Sequence, residues 1–328
     1  MVLGVEFDDA ALTARVEASV QRTEAALEAA VRSSDGFLDE AAGHLFHAGG
    51  KRFRPMLVAL AAELGDPERQ EVTTSAVVVE LTHLATLYHD DVMDEAPLRR
   101  GAPSANARWT NSLAILVGDF LFAQASDRVA TLGPEAVSIQ ARTFSRLVRG
   151  QIRETIGPRD GEDPLEHYLD VVADKTGSLI ATSARFGAMM AGASSEHEQI
   201  VTDFGERIGV AFQLSDDIID IASESGESGK TPGTDLREGV PTLPTLFAQR
   251  SSDPADAELL ARLSGPISDD AVVEQTLTTL RSHAAMSQAR AYVRAETDAA
   301  RERLSGLPVG SVRSALEAIC DTLTTRIT

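Results

Sequence analysis

The sequence holds a single cysteine, a single tryptophan and only 5% aromatic residues. One thiol cannot form an internal disulfide, so a disulfide-stapled scaffold is excluded and a reducing compartment fits. Cys320 has no His or second Cys at a metal or redox spacing and reads as structural. Cations are scarce too: 30 Lys+Arg stand against 50 Asp+Glu, a formal net charge of −20. A chain this acidic repels phosphate backbones, so general nucleic-acid binding is excluded. No apolar run approaches the ~18 residues that a bilayer span needs. The longest, around 56–64 and 76–81, are short and interrupted by charge. The N-terminal stretch MVLGVEFDDAALTARVEASV lacks a basic n-region and carries acids where a signal is apolar. No secretory or transit peptide is expected, and a cytoplasmic protein is. Alternating strand patterns are nearly absent, as are tandem repeats and low-complexity tracts.

What is present is helical periodicity. Apolar residues recur at three and four over Leu12–Val31, Ala136–Ile152 and Ile200–Ile221. The chain is rich in Ala, Leu, Glu, Gln and Arg, all good helix formers. Turn chemistry falls at Gly49-Gly50, Pro97, Gly101 to Pro103, Gly133-Pro134, 157–164, Ser223–Gly233 and Pro241 to Pro244. With hydrophobic residues at 43%, a real core is available. No linker separates two cores. The expectation is one large all-α domain over 1–328.

Two acidic clusters stand out, Asp90-Asp91-Val92-Met93-Asp94 and Asp216-Asp217-Ile218-Ile219-Asp220, each reading DDxxD. With 25 aspartates in the chain, chance predicts about 0.14 such matches. A solvated acidic face is the bland alternative. It fits poorly, because His83, Leu84, Leu87 and Tyr88 precede the first cluster and Val210, Phe212 and Leu214 the second. Residues i and i+4 share a helix face, with i+1 beside them. The spacing therefore predicts that Asp90, Asp91 and Asp94 converge, and likewise Asp216, Asp217 and Asp220. Hard oxygen donors so grouped suit Mg²⁺ bridging carboxylates to substrate phosphates. The clusters lie 126 positions apart, enough chain for their two helices to face one cavity.

The scarce cations are concentrated. Lys51, Arg52 and Arg54 lie in GGKRFRP (49–55), and Arg99-Arg100-Gly101 follows the first acidic cluster. Arg binds phosphate oxygens as a fork and Lys as a point charge. Gly49 and Gly50 allow close backbone approach. Metal on one side and cations on the other suit a diphosphate leaving group and a second diphosphate handle.

The ordered set GGKRFRP (49–55), HDDVMD (89–94), RRG (99–101), GDFLFA (118–123), KT (175–176), FQLSDDIID (212–220) and GKTPGTDL (229–236) resembles the trans-polyprenyl diphosphate synthases. The resemblance implies an all-α, isoprenoid-synthase-type domain with a central cavity. It also implies a homodimer, and Mg²⁺-dependent head-to-tail condensation of an allylic diphosphate with isopentenyl diphosphate. Asp90 and Asp94, with Asp91 beside them, would hold Mg²⁺ on the allylic diphosphate. Asp216 would hold a further Mg²⁺, supported by Asp217 and Asp220, for three ions with substrate bound. Gly50, Lys51, Arg54, His83 and Arg100 would bind isopentenyl diphosphate. Arg99, Lys175, Thr176, Gln213 and Lys230 would contact the allylic diphosphate or shield the cation. His89 stays open between ligand contact and core; His44, His47, His167, His197 and His283 default to structural or surface roles. Val240 stands where many members carry a Lys after Gly239, so one auxiliary diphosphate contact is missing. The stretch Ser223–Gly233 reads as a closing flap carrying Lys230.

No Ser–His or Cys–His nucleophile pair is present or needed. Product length should follow the wall of the first DDxxD helix, where the family stops growth with bulky aromatics. Ala85 and Thr86, five and four residues before Asp90, are small. They imply a product in the hexaprenyl to decaprenyl range, with Phe120, Leu121 and Phe122 as a deeper floor. Alternatives are a farnesyl or geranylgeranyl diphosphate synthase, a class I terpene cyclase, a partner subunit of a heteromeric synthase, and an acidic helical scaffold. The last leaves the basic segments unexplained.

Overall fold

The computed structural model describes Val5 and residues 7–223 and 232–327. It is helical, as expected, with one two-stranded exception. In chain order the helices are α1 (Ala10–Val31), α2 (Gly36–His47), α3 (Phe53–Ala62), α4 (Gln70–Met93), α5 (Ala105–Arg108), α6 (Asn111–Thr131), α7 (Pro134–Ile156) and α8 (Pro164–Val172). They continue with α9 (Ser178–Met190), α10 (Ser195–Ala222), α11 (Thr234–Glu238), α12 (Leu243–Gln249), α13 (Ala257–Arg262), α14 (Asp270–Ser282), α15 (Ala284–Arg303) and α16 (Ser311–Arg326). The three periodic stretches read from the sequence fall inside α1, α7 and α10. Part of the chain's aspartate is spent on caps. Asp9, Asp35, Asp163 and Asp269 each accept from backbone N–H groups at the starts of α1, α2, α8 and α14. Those donors would otherwise have no partner.

The chain divides into two compact units, neither of them continuous. One comprises Met1–Ser145, Leu179–Gly205 and Leu304–Ala318; the other comprises Arg146–Ser178, Glu206–Arg303 and Ile319–Thr328.

In the first unit α4 is the central element, packed on α1, α3 and most extensively on α6. Its sequence is apolar nearly all round, and Val72, Ala76, Val77, Val78, Val79, Leu81, Leu84 and Ala85 are all buried. Such a helix belongs inside a core. Tyr88 ties it to α2: its hydroxyl donates to Ala41 O at 2.5 Å and accepts from Leu45 N at 3.3 Å. The strand pair Leu98–Arg99 and Ala102–Pro103 closes a hairpin, Leu98 opposite Pro103 and Arg99 opposite Ala102. Periodicity could not reveal strands of two residues.

In the second unit α12 packs on α8 and α15, and α14 on α15. Between α8 and α9 the helix widens into one π turn, Ala173–Gly177. Gly150 of α7 makes room for it, since a Cβ there would lie 2.9 Å from Lys175 N.

Candidate active site

The first DDxxD sits where expected, at the C-terminal end of α4, with Asp94 as its C-cap. A helix C-terminus carries negative partial charge, and α4 has no basic residue in its last turn. Three carboxylates added there call for a cation. The three do not converge, however. Asp91 is fully buried and turned inward, accepting from Arg99 Nε at 2.6 Å and from Ala105 N at 3.1 Å. Asp94 is exposed, with Arg99 Nη2 at 3.4 Å. Among the described residues no group of three His, Cys, Asp or Glu side chains is drawn together as a metal cage. Asp90 and Asp94 share the outward face, and Asp91 anchors the motif to Arg99.

The cations form a crowded nest in the same unit. The non-glycine residues with positive φ among those described are Arg52 (47°), Glu95 (49°) and Arg100 (55°). All three lie in or beside the two basic segments. Such conformations cost of order 1–3 kcal/mol each and gather at functional sites. Arg100 and Gly101 (φ 78°) are the two central residues of the hairpin turn, where two positive φ values suit the strand twist. The turn carries the Arg100 guanidinium to Leu45 O at 2.8 Å and to Gly49 O. At Gly50, φ 154°, a Cβ would stand 2.7 Å from Arg52 Nη1 and 3.0 Å from Arg100 Cζ, so a side chain there would displace a guanidinium.

Arg52 is spoken for by Glu80 (3.3 Å), Glu24 (3.2 Å) and the Phe46 carbonyl (3.2 Å). Arg54 is not. Its Nε is buried without a hydrogen-bond partner. Burial, aided by Arg100, brings its pKa down to about 10. His83 is held well below the ordinary histidine range by burial and by Arg54, Arg100, Arg52 and Arg99, so it is neutral. Lys51 is exposed. The nest thus brings together Gly50, Arg54, His83 and Arg100, with the buried Glu80 acting on both Arg54 and Arg100.

Ala85 and Thr86 prove to point different ways. Thr86 stacks four residues below Asp90 and is half-buried. Ala85 is fully buried against α6, where a Cβ on Gly118 would stand 3.2 Å from the Ala85 carbonyl and 2.4 Å from His89 Nε2. His89 bonds the Ile115 carbonyl at 3.1 Å and packs on Phe122 at 5.7 Å, which makes it a packing residue of α4 and α6. Leu121 is buried; Phe122 also stacks on Phe144 at 4.4 Å.

The second DDxxD ends α10, which also lacks a basic residue in its last turn. Here a chain of hydrogen bonds joins four residues. Thr176 Oγ1 donates to Gln213 Oε1 (3.2 Å), and Gln213 Nε2 donates to Asp217 Oδ1 (3.1 Å). The Tyr168 hydroxyl donates to Asp217 Oδ2. Burial is the chief cause that pushes the Asp217 carboxyl up to about 6, with Asp216 adding to it and the two donors opposing it. Lys175, on the π turn, reaches Glu154 at 2.5 Å. Asp174 beside it is gripped by Arg149 (2.7 Å) and Arg146 (2.9 Å). Asp216 Oδ1 accepts from Arg326 Nη2 at 2.8 Å. The Asp220 carbonyl accepts from Gly233 N at 3.2 Å. Lys230 and most of the Ser223–Gly233 stretch lie outside the described residues. Val240 N closes the turn after α11 on Asp235 O at 2.9 Å.

Glu80, Glu154, Tyr168 and Arg326 were not singled out by sequence reasoning. Tyr168 and Asp217 are 49 positions apart, and Arg326 and Asp216 are 110. No local pattern links such pairs. The remaining histidines bear out their structural reading where partners are seen: His44 on Pro103 O (2.8 Å), His167 on Arg153 O (3.2 Å), His283 on Asp256 (3.0 Å). Cys320 is buried.

The donor set fits a divalent metal. Both motifs offer carboxylate oxygens at helix ends of negative polarity, the chemistry that Mg²⁺ or Ca²⁺ takes. The polyprenyl synthetase family profile matches residues 35–280. The nonaprenyl diphosphate synthase of Mycobacterium tuberculosis is 51% identical over 98% of this chain and 96% of its own. A dimethylallyltranstransferase of the same organism is 43% identical over 98% of each. The crystal structure of a geranylgeranyl pyrophosphate synthase from Corynebacterium glutamicum, complexed with calcium and isoprenyl diphosphate, is 48% identical. It superposes with a TM-score of 0.89 over 98% of this chain and 99% of its own.

Proposed function

The chain belongs to the polyprenyl synthetase family and is a prenyltransferase. From that premise we propose that it extends an allylic diphosphate with isopentenyl diphosphate, head to tail, to a long all-trans product. The observation that carries this reading is the nest around His83. A chain of net charge −20 keeps together Arg54, whose Nε is buried without a partner, a strained Arg100 and a neutral His83, beside a buried Glu80 that already pairs with Arg52. Such an arrangement is costly unless an anion completes it. Isopentenyl diphosphate supplies that anion, held by Lys51, Arg54, Arg100 and the close backbone at Gly50.

The family works with a divalent metal, and we read it as Mg²⁺, three ions with substrate bound. Asp90 and Asp94 would hold it at the first motif, Asp216 and Asp220 at the second. Bound Mg²⁺ supplies Lewis-acid neutralisation of the diphosphate leaving group. The chain's own residues do the rest. Asp91, locked by Arg99, sets the rotation of the α4 end. Lys175 and Thr176, presented by the π turn, and Gln213, fixed between Thr176 and Asp217, line the allylic side and shield the carbocation. Lys230 serves the same diphosphate. The allylic C–O bond breaks with its electron pair leaving on diphosphate. The isopentenyl double bond attacks the allylic C1, and diphosphate takes the departing proton. Pre-set donors lower the barrier because they need no reorganisation as charge develops.

A long product is supported by the small side chain at Thr86 on the aspartate face and by the 51% identity to a nonaprenyl diphosphate synthase. A geranylgeranyl-length product is the second reading, favoured by the 48% identity to a geranylgeranyl pyrophosphate synthase. We take the whole chain, 1–328, as one functional domain, since neither compact unit is a continuous stretch. A homodimer is supported by the outer face of α7, where Val137, Phe144, Val148, Ile152 and Ile156 are exposed, and by Ile115 and Leu116 of α6. No helix among the described residues is long and apolar enough to cross a membrane.

The test is purified protein with Mg²⁺, labelled isopentenyl diphosphate and geranyl, farnesyl or geranylgeranyl diphosphate, with dephosphorylated products sized by chromatography. A ladder ending at six to ten isoprene units is expected. Arrest at four units replaces the long-chain reading with the second; absence of condensation overturns both.

A further inference from the structure

Arg326 has no place in the scheme above, yet it is the cation seated on the second motif. It lies in the last turn of α16, and its Nη2 donates to Asp216 Oδ1 at 2.8 Å. The guanidinium rests over the ring of Phe212, one turn earlier on α10, at 5.6 Å. The helix end that carries it is pinned. Arg290 Nε donates to Ile327 O at 2.6 Å, Thr297 and Thr324 hydroxyls meet at 3.2 Å, and Arg301 pairs with Asp321 at 2.5 Å. Its position is therefore built, and not that of a long side chain settling on the nearest acid.

One feature is unlike an ion pair made for stability. Arg326 Nη1 is buried with no hydrogen-bond partner among the described residues. A buried donor left unsatisfied costs free energy. The guanidinium thus holds Asp216 with one arm and keeps a second donor inward and unused. Arginine's fixed fork is well suited to a phosphate oxygen on such a donor.

We propose that Arg326 is a further diphosphate-handling residue of this enzyme, the resident cation of Asp216. While no diphosphate is bound it neutralises Asp216 and opposes entry of a divalent cation there, by competing for Oδ1 and by like-charge repulsion. When the allylic diphosphate arrives, Nη1 takes one of its oxygens. The Arg326 charge then serves the substrate, and Asp216 is released to the metal. Metal loading of the second motif is thereby tied to substrate. This inference rests on the reading that the second motif holds a divalent cation.

The test uses the full chain carrying Asp90→Asn and Asp94→Asn, which silence the first motif, with Mn²⁺ alone as probe and bound metal counted by EPR. Arg326→Gln and Arg326→Met in that background are expected to bind one Mn²⁺ at least tenfold more tightly than the parent. Arg326→Lys keeps the charge and should match the parent. Adding Asp216→Asn should abolish the gain. In the otherwise unmodified enzyme, Arg326→Gln should raise the KM for the allylic diphosphate at least fivefold and leave that for isopentenyl diphosphate within twofold. Mn²⁺ affinity that is unchanged or weaker in both Gln and Met variants overturns the proposal. If turnover of the unmodified enzyme proves independent of divalent cations, the metal reading itself falls and this inference with it.

Discussion

In the first DDxxD motif the middle aspartate, Asp91, meets a guanidinium and a backbone N–H; in the second, Asp217 meets a phenol and a carboxamide. Both side chains are buried. Asp91 thus has a charged partner, whereas burial with only neutral donors lifts Asp217 to about 6. The outer aspartates differ as well: Asp94 is exposed, and Asp216 carries Arg326. The same five-residue pattern thus yields two electrostatic states. What the pattern fixes is the spacing of the carboxylates; partners distant in sequence decide which of them are available to a metal.

The largest effect expected is on turnover. Asp90→Asn and Asp94→Asn each remove an outward oxygen donor of the first motif. Each should lower kcat/KM by on the order of 10³-fold, since metal neutralisation of developing charge is worth several kcal/mol. Steady-state assays at saturating Mg²⁺ measure it. Retention of near-parental activity by Asp94→Asn would show that the motif works without its exposed member.

The sharpest contrast between the motifs is in stability. Asp91→Asn leaves the Arg99 guanidinium facing a neutral amide at a buried site and should cost about 3 kcal/mol. Asp217→Asn replaces a carboxylate that its surroundings already disfavour, so the metal-free protein should lose less than about 1 kcal/mol or gain. Denaturant melts in metal-free buffer compare the two. Equal losses would mean that the two environments do not differ as drawn.

A smaller and more local effect tests the wall of α4. Thr86→Phe, on the face of Asp90, should shorten the product by two or more isoprene units with little change in melting temperature. Ala85→Phe places a ring at a fully buried position, where overpacking costs typically 1–3 kcal/mol, and should lower stability instead. Product chromatography beside thermal melts separates them. Shortening by Ala85→Phe alone would place the wall on the other face.

How far the sequence carried these conclusions depends on the range of the interaction. Helices α1, α7 and α10 and the helix-end location of both aspartate motifs were legible, because periodicity and i,i+4 spacing are local. The cation nest was legible as composition, since few other positive charges cluster in so acidic a chain. Its internal division was not: Arg52 bonds Glu80 and Glu24, 28 positions away in either direction, while Arg54 is left unpartnered. The convergence of three carboxylates failed because helical geometry says which face Asp91 shares but not that Arg99 and Ala105 N compete for it. Thr86 and Ala85 looked equivalent as small residues until α6 was packed against one of them. The π turn had no signature beyond Gly150, whose reason is visible only with Lys175 N beside it.

The smallest effect expected is a pH dependence confined to the second motif. Asp217 titrates at about 6 in the folded metal-free chain against about 3.9 when unfolded. Between these values the folded protein binds more protons than the unfolded one. Stability contributed by the protonated form is therefore fully present below pH ~4 and is lost as pH rises through about 6. The slope is at most about 1.4 kcal/mol per pH unit for this one group. Other carboxylates titrate in the same range, so the informative quantity is the difference between the parent and Asp217→Asn at each pH. That difference should grow from pH 4 to 6 in favour of the variant and then level off. Tyr168→Phe removes a donor to the ionised carboxylate and should move the levelling-off point upward. No change between pH 4 and 7 would make Asp217 an ordinary carboxylate, and the contrast between the motifs would reduce to their hydrogen-bond partners and Arg326.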